Sequence, residues 1–259
     1  MRRIVQQHPT LAARSLPRFV VAALVALLLA ASAADAALTT GKCLGQKRTA
    51  WITLRKCQGV EQVKLLNGKP TDLAKCQTKF QDALAKITAK AAKAGIACRY
   101  LDNSDSTITD FDTGLQWEKL TEDGSLLDKD ITFTWGNLSG CPFPGCPNGT
   151  AFIELLGRFN NCVLTAGASV GGFAGHCDWR LPTLIELEAI KDFKEGVCSG
   201  ASGACIDPIF GPTAAGFYWS ATTNEIFPTA AWIFPFVDQP LSFDGKNTKL
   251  HVRAVRADL

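Results

Sequence analysis

Closely spaced metal ligands are missing from this sequence. Its 259 residues include three histidines and ten cysteines, but no Cys-x-x-Cys pair occurs. Zinc sites are typically built from such pairs, so we predict no metal site.

Catalytic groupings are equally scarce. His176, Cys177 and Asp178 are consecutive, whereas a nucleophile, its base and an orienting group must converge in space. We therefore predict no catalytic residues and no enzymatic activity.

Long apolar runs are also scarce, and the one that occurs lies near the amino terminus. Residues 19–31 are continuously apolar and follow several arginines, and Ala34 and Ala36 supply the small residues that a signal peptidase reads. We predict a signal peptide over residues 1–36, with an uncleaved membrane anchor as the alternative. No cysteine stands directly at the cleavage site, which disfavours a lipid anchor, and no later segment is long and apolar enough to span a membrane. The predicted location is secreted, periplasmic or cell-surface.

Charge is unevenly distributed along the chain. Residues 37–99 carry 13 basic and three acidic side chains, whereas residues 100–259 carry 10 basic and 20 acidic ones. This division predicts a basic domain followed by an acidic one. The lysines of the basic domain could bind a polyanion such as lipopolysaccharide or a sulfated glycan. Alternatively, they form a solvated face or are neutralised by the acidic domain. Nucleic acid is not an expected partner of an exported protein.

The basic domain has the pattern of a helical hairpin. Apolar residues recur at steps of three and four over residues 73–91, and a weaker repeat covers residues 44–57. Residues 67–70 (NGKP) separate the two segments. We expect Thr71 to cap the second helix and Gly95 to end it.

An antiparallel hairpin would bring the first four cysteines together in two pairs. Cys43 and Cys57 are 14 residues apart, nearly four helical turns, and so share one helix face. Of the three pairings that four cysteines allow, this geometry favours Cys57–Cys76 beside the turn and Cys43–Cys98 at the open end. The other six cysteines allow fifteen pairings, and we predict Cys141–Cys146, Cys162–Cys177 and Cys198–Cys205.

The acidic domain has the pattern of an α+β fold. A helix is predicted over residues 151–164, and Thr183 and Glu186 form a capping box that begins another. Short runs rich in β-branched and aromatic residues stand before and after these helices. The predicted strands cover residues 107–110, 115–118, 217–221, 230–236 and 250–255.

Four motifs give the acidic domain a recognisable order: residues 110–118 (DFDTGLQWE), 172–187 (GFAGHCDWRLPTLIEL), 218–222 (YWSAT) and 252–256 (VRAVR). Together they resemble the Lcl C-terminal domain family over about residues 100–258. The resemblance implies a C-type-lectin-like fold, in which two helices pack against short antiparallel sheets and the first and last strands pair. It also implies an extracellular binding domain, since a member of that family engages sulfated polysaccharides.

The resemblance and the residue types together suggest a few ligand-binding candidates. Asp178 and Arg180 flank the tryptophan of the second motif. Trp135 and Trp232 lie near loops, where an exposed ring could stack on a sugar. The other motif residues are expected to hold the fold together: Trp117, Trp179, Pro182, Glu186, Trp219, Arg253 and Arg256.

No cofactor is predicted. The oxygen-rich residues 102–110 leave calcium open as an alternative, although Thr107 and Thr113 stand where an EF-hand loop needs glycine and glutamate. The signatures of calcium-dependent sugar-binding lectins are absent from the sequence. We interpret residues 102–110 as a solvated turn between the domains.

The expected function is that of an exported, non-enzymatic binding module, with glycan- or surface-directed adhesion as the leading hypothesis. One alternative is a structural or protein-interaction component of the cell envelope. A more remote alternative is an enzyme of the formylglycine-generating type. The sequence leaves the ligand and the oligomeric state open.

Overall fold

The computed structural model describes residues 38–136, 146–165, 168–192 and 203–257. The predicted signal peptide, residues 1–36, lies outside them. Two long helices are followed by short strands and helical turns, so the architecture is α+β, as predicted. The elements are α1 (Thr40–Leu66), α2 (Leu73–Lys93), β1 (Tyr100–Asp102), β2 (Thr107–Asp110), β3 (Leu115–Glu118), β4 (Phe133–Thr134), a π-helical turn (Ala151–Leu156), α3 (Gly157–Phe159), β5 (Cys162–Thr165), β6 (Ala168–Gly171), α4 (Leu184–Ile190), a 3-10 turn (Pro208–Phe210), β7 (Phe217–Thr223), β8 (Ala230–Pro235), β9 (Ser242–Gly245), β10 (Lys249–Leu250) and β11 (Val255–Ala257).

Helices α1 and α2 form the predicted disulfide-linked hairpin. Cys57–Cys76 joins the helices beside their connecting turn, with the Cα atoms 5.8 Å apart. Cys43–Cys98 joins the open end, with the Cα atoms 5.9 Å apart. Both predicted pairs are confirmed. The side chains buried between the helices include Leu54, Phe80 and Leu84.

The helix ends differ from the prediction in detail. Asp72, rather than Thr71, caps α2, because its carboxylate accepts a hydrogen bond from the backbone N–H three residues on at 2.9 Å. Gly95 ends the helix as predicted, with a φ of 66° that glycine adopts without strain. Helix α1 extends well beyond the predicted residues 44–57. Its outer turns are rich in lysine, glutamine and leucine, which favour helix without any apolar periodicity.

The hairpin packs on the acidic domain through the turn between β2 and β3. Phe111 of that turn packs with Leu44 and the Cys43–Cys98 disulfide in one apolar cluster. Trp51 Nε1 donates a hydrogen bond to the Phe111 carbonyl at 3.0 Å, and the buried Lys47 ammonium pairs with Asp112. Side chains of the hairpin and of the acidic domain therefore share one apolar core.

The last strand of the acidic domain, β11, pairs with β3 of the first motif, whereas the first strand, β1, lies at the far edge of the same sheet. Strands β1, β2, β3 and β11 form an antiparallel sheet in that order, and Val255 of β11 lies opposite Trp117 of β3. Strands β2 and β3 have the predicted bounds. Antiparallel pairing also joins β4 to β10, β5 to β6, and β7 to β8 to β9.

Two apolar cores fill the acidic domain. The first contains Trp135, Trp179 and Trp219, and the second contains Trp117 and Tyr218. The predicted capping box lies at the start of α4: the Glu186 N–H donates to Thr183 Oγ1 at 3.3 Å and the Thr183 N–H donates to Glu186 Oε2 at 2.8 Å. Local chemistry thus starts the helix that packs against strands β7 and β8.

The helix predicted over residues 151–164 is shorter than expected. It ends at Phe159, and Cys162–Thr165 is strand β5, paired with β6. Val163, which lies inside the predicted helix, is instead part of β5 and is 65% exposed. Just after the helix, the Asn160 side chain bonds the Trp179 backbone through its amide N–H and its carbonyl, each at 2.8 Å.

The strand predicted over residues 250–255 is divided in two. Strand β10 ends at Leu250 and β11 begins at Val255. The segment between them bonds several different strands: the His251 carbonyl accepts from Trp219 N–H at 2.9 Å, and the Ala254 carbonyl accepts from Glu118 N–H at 3.2 Å. Such switching of partners is invisible in a local pattern.

The other cysteines among the described residues also form disulfides. The predicted pair Cys162–Cys177 is confirmed, with the Cα atoms 6.0 Å apart. Cys146 and Cys205 are disulfide-bonded; their predicted partners, Cys141 and Cys198, lie outside the described residues. No cysteine in the described part of the chain is free. In that same part, no helix has the length and apolar character needed to cross a membrane.

Removal of either hairpin disulfide should destabilise the protein, and the disulfide that encloses the longer loop should cost slightly more. Cys43–Cys98 spans 55 residues and Cys57–Cys76 spans 19, so paired alanine substitutions should cost about 4 and about 3 kcal/mol respectively. Urea unfolding of the two double variants measures both losses. A larger loss from the shorter loop would contradict the entropic ranking.

Gly114 is predicted to be indispensable for the contact between hairpin and domain. Its φ is 72°, and a methyl group added there would lie 2.5 Å from Trp51 Cη2. Gly114→Ala should therefore destabilise the protein by more than the roughly 1–2 kcal/mol that a left-handed residue costs. Gly124 has a φ of 73° with open space around it, so Gly124→Ala is the matched control. Equal losses of unfolding free energy in the two variants would show that the Trp51 ring moves aside at little cost.

Candidate binding surface

The sheet of β7, β8 and β9 has a buried face and an outer face. Side chains alternate along β8: Ala231 and Ile233 enter the first core, and Trp232 between them lies on the other face. Strand β9 pairs with β8 so that Phe243 lies directly opposite Trp232. This register brings two aromatic rings together on the outer face.

Phe227, Trp232 and Phe243 form an exposed cluster, which we call the aromatic surface. The Phe243 ring centroid lies 5.7 Å from that of Phe227, with 25° between the ring planes, and 5.7 Å from that of Trp232, with 81° between the planes. Phe227 and Phe243 are 52% and 43% exposed, and Trp232 is partly exposed. The neighbouring residues Ile226 and Leu241 are exposed as well. Contiguous exposed apolar groups of this kind mark interaction sites.

Hydrogen bonds hold the loop that carries Phe227. The buried Asn224 Oδ1 accepts from the N–H groups of Ile226 and Phe227, each at 3.0 Å. The Ala230 N–H closes the loop on the Phe227 carbonyl at 2.8 Å. The ring is therefore presented by an ordered backbone, which lowers the entropic cost of binding.

Of the two tryptophans predicted as exposed candidates, Trp232 lies in this surface and Trp135 does not. The prediction for Trp135 is wrong, because its side chain is 5% exposed. Its Nε1 donates to the Ser220 carbonyl at 2.9 Å, and the Lys246 ammonium lies 3.9 Å from its ring centroid. A loop-rich sequence context surrounds it, but tertiary packing covers both faces of the ring.

The candidates Asp178 and Arg180 take part in separate ion pairs. Arg180 forms a forked pair with the Glu186 carboxylate, with nitrogen–oxygen distances of 2.8 and 2.6 Å. Asp178 Oδ1 accepts from Arg256 Nε at 2.7 Å. Arg180 borders a largely apolar hollow of about 660 Å³. Both charged groups have partners within the chain, and these pairs help to fix the surrounding backbone; a ligand-binding role for them stays a prediction.

The remaining motif residues lie where the fold is held together. The Trp219 and Trp179 indole N–H groups donate to the Phe133 and Phe173 carbonyls, each at 2.9 Å. The Pro182 carbonyl accepts from the β7 backbone at 2.7 Å. The buried motif residues are Trp117, Trp179, Pro182, Trp219, Arg253 and Arg256.

Two ionisable side chains, Glu118 and Arg253, are buried where β3 meets the last segment of the chain. Burial raises the pKa of Glu118 to about 8, against the opposing effects of the Arg253 charge and the Ala254 N–H. Arg253 itself is fully buried. Glu118 Oε1, Arg253 Nε and Trp117 Nε1 have no hydrogen-bond partner among the described residues. The sequence predicts a structural role for Arg253, but no local pattern indicates that Glu118 faces the interior.

The oxygen-rich residues 102–110 form a β-hairpin, β1 to β2, rather than a turn between domains. Asp102 accepts from the Ser104 N–H at 2.9 Å and pairs with Lys119 at 2.6 Å. Asp105 accepts from the Thr107 N–H at 3.1 Å. These carboxylates serve the hairpin and its neighbouring strand. In the ranges that the structure covers, no three metal-ligating side chains converge.

Phe227 and Phe243 are not among the binding residues predicted from the sequence. Phe243 becomes part of the surface through the pairing of β8 with β9, and Phe227 through the fold of a loop. The available signal was the local alternation around Phe243, which lies between two polar residues in a short strand.

A comparison with known families agrees with the resemblance found in the sequence. The model of the Lcl C-terminal domain matches residues 106–256. The match covers β2 to β11 and leaves out the hairpin. A comparison with curated proteins finds no match.

The buried Glu118 and the partly buried Glu186 should give opposite pH dependences of stability. The pKa of Glu118 is raised, so its contribution is complete below the unfolded value near 4.5 and is lost as pH rises towards 8. For Glu186, hydrogen bonds from Arg180 and Thr183 outweigh the effect of burial and lower the pKa. Its contribution is therefore present at neutral pH and is lost as pH falls below about 4.5.

Glu118→Gln and Glu186→Gln separate the two effects. Urea unfolding between pH 3 and 9 should show that Glu118→Gln removes part of the loss of stability towards pH 8, while Glu186→Gln removes part of the loss towards acid. An unchanged slope above pH 5 in Glu118→Gln would show that another group titrates there.

Proposed function

Because the chain belongs to the Lcl C-terminal domain family, we propose that it is an exported, non-enzymatic binding module whose aromatic surface contacts a glycan. The observation that carries the proposal is the cluster of Phe227, Trp232 and Phe243 on an ordered sheet and loop. A C-type-lectin-like fold is part of the proposal, supported by the pairing of β3 with β11.

The chemistry of the aromatic surface suits a sugar ring. The apolar C–H face of a pyranose packs on an aromatic ring, and the ring's hydroxyl groups need nearby hydrogen-bonding partners. Glu225 and Thr229 are exposed in the loop that carries Phe227 and could supply such partners. A single platform of this kind gives weak binding, and adhesion would draw on several copies at a surface.

Export is supported by the disulfides. Three pairs join described cysteines, and disulfides of this density persist in oxidising compartments. A secreted, periplasmic or surface location follows from the proposal. An enzyme of the formylglycine-generating type would need reactive thiols, and in the described part of the chain every cysteine is disulfide-bonded.

A protein partner is the second candidate for the same surface. Exposed Ile226 and Leu241 extend the aromatic cluster with aliphatic groups, which a protein interface would cover and a sugar would not need. Pull-down from envelope extract with wild type and with Ile226→Ser separates the candidates, because glycan binding should tolerate that change.

Loss of the aromatic surface should abolish glycan binding without unfolding the protein. Phe243→Ser and Phe227→Ser remove exposed rings, so each should weaken binding on a glycan array at least about tenfold, or 1.4 kcal/mol. Ile185→Ser is the matched control, since Ile185 is 76% exposed on α4, a different element. Binding that survives both phenylalanine variants, or wild-type protein that binds no glycan, would overturn the proposal.

A further inference from the structure

The hairpin carries an apolar groove that is lined by its own two helices. The groove has a volume of about 750 Å³ and runs between α1 and α2. Its lining includes Leu54, Phe80, Ile87 and the Cys57–Cys76 disulfide. No described residue of the acidic domain borders it; that domain packs on a neighbouring part of the hairpin, against Leu44 and Trp51.

Small side chains keep the groove open along α1. Gly45, Thr49 and Thr53 follow at steps of four and border it. A methyl group added at Gly45 would meet nothing within 4 Å, so packing within the chain does not require a glycine there. Glycine inside a helix costs roughly 1 kcal/mol relative to alanine. A close approach by another backbone would account for its presence.

The charges around the groove define what could fill it. Lys42 stands at the open end of the hairpin and Lys79 near the turn, and both are exposed and border the groove. Neither has an ion-pair partner in the described part of the chain. The Cys57–Cys76 disulfide sets the level of the two antiparallel helices, so Lys79 of α2 lies beside Leu54 of α1. Leu54 is twelve residues from Lys42, which is about 18 Å along the helix at 1.5 Å per residue. Two positive groups this far apart match negative groups repeated along a rod better than a single anionic headgroup.

We propose that this groove binds an acidic amphipathic α-helix of a partner protein, completing a three-helix bundle with α1 and α2. The apolar stripe of such a helix would cover Leu54, Phe80 and Ile87, and its flanking carboxylates would meet Lys42 and Lys79. The groove follows α1 from Lys42 to Cys57, which is about 22 Å or four helical turns. A second copy of the hairpin is a poor occupant, because residues 37–99 hold 13 basic and three acidic side chains.

Binding of a designed helix to the disulfide-intact chain tests the proposal. The probe is a fluorescent peptide of about 18 residues, long enough to span the groove, with leucine at helical spacing and glutamate on both flanks. Fluorescence anisotropy should show saturable binding that weakens with salt. The same peptide with lysine in place of glutamate should bind at least about tenfold more weakly.

Variants locate the binding in the groove. Ala83 borders the groove on α2, and Ala85 is exposed on the same helix but does not border it. Ala83→Glu should weaken binding about tenfold or more, whereas Ala85→Glu should leave it unchanged. The double variant Lys42→Glu/Lys79→Glu should reverse the preference in favour of the lysine peptide. Circular dichroism confirms that each variant is folded.

Several results would overturn the proposal: no binding of the acidic peptide, equal binding of both peptides, or equal effects of the two alanine variants. Self-association in sedimentation that Ala83→Glu abolishes would assign the groove to a second copy of the chain. Displacement of the peptide by anionic lipid vesicles, blocked by the same variant, would assign it to a membrane surface.

Discussion

The buried guanidinium of Arg253 is the constraint around which the acidic domain is arranged. The side chain has no exposed surface, and removing a charge from water costs several kcal/mol unless it is well partnered. Its partners come from distant parts of the chain: the Thr213 hydroxyl and the Glu118 carbonyl accept hydrogen bonds. The rings of Phe210 and Tyr218 lie 5.5 and 5.9 Å away. A charge placed here holds strands β3 and β7 and the 3-10 turn to the last segment of the chain.

That last segment passes between the two cores and explains why two sequence motifs act together. Val252 and Ala254 pack in the first core, and Val255 packs in the second. The Val255 backbone exchanges both of its hydrogen bonds with Arg180, each at 2.9 Å, and Arg256 pairs with Asp178. The motif around Asp178 and the motif at the end of the chain thus form a single structural junction. Asp178 and Arg180, which were predicted as ligand contacts, thus help to join the last segment to the rest of the domain.

The sequence predicts those features whose cause is local. The capping box at Thr183 and the bounds of β2 and β3 follow from short-range spacing, and the structure has each of them. The hairpin disulfides follow from helical periodicity, because two regular antiparallel helices fix which cysteines face each other. The contacts of single side chains that depend on irregular long-range packing could not be predicted. Trp135 and Trp232 stand in similar loop-rich contexts, yet Lys246 and Ser220 cover the first. The partner of the second, Phe243, is chosen by strand register.

The basic hairpin and the acidic domain form ion pairs with each other where they meet. Lys47 pairs with Asp112, and Arg99 pairs with Asp110 at 2.7 Å, at the point where the hairpin meets the domain. Both pairs lie at or near the Phe111 cluster, so opposite charges help to orient an apolar contact that would otherwise lack direction. Lys42 and Lys79 of the groove have no ion-pair partner among the described residues, so this neutralisation does not reach them. The aromatic surface belongs to the family-matched part of the chain and the groove does not. The two proposed binding surfaces therefore lie in different domains, and a partner of one would not occupy the other.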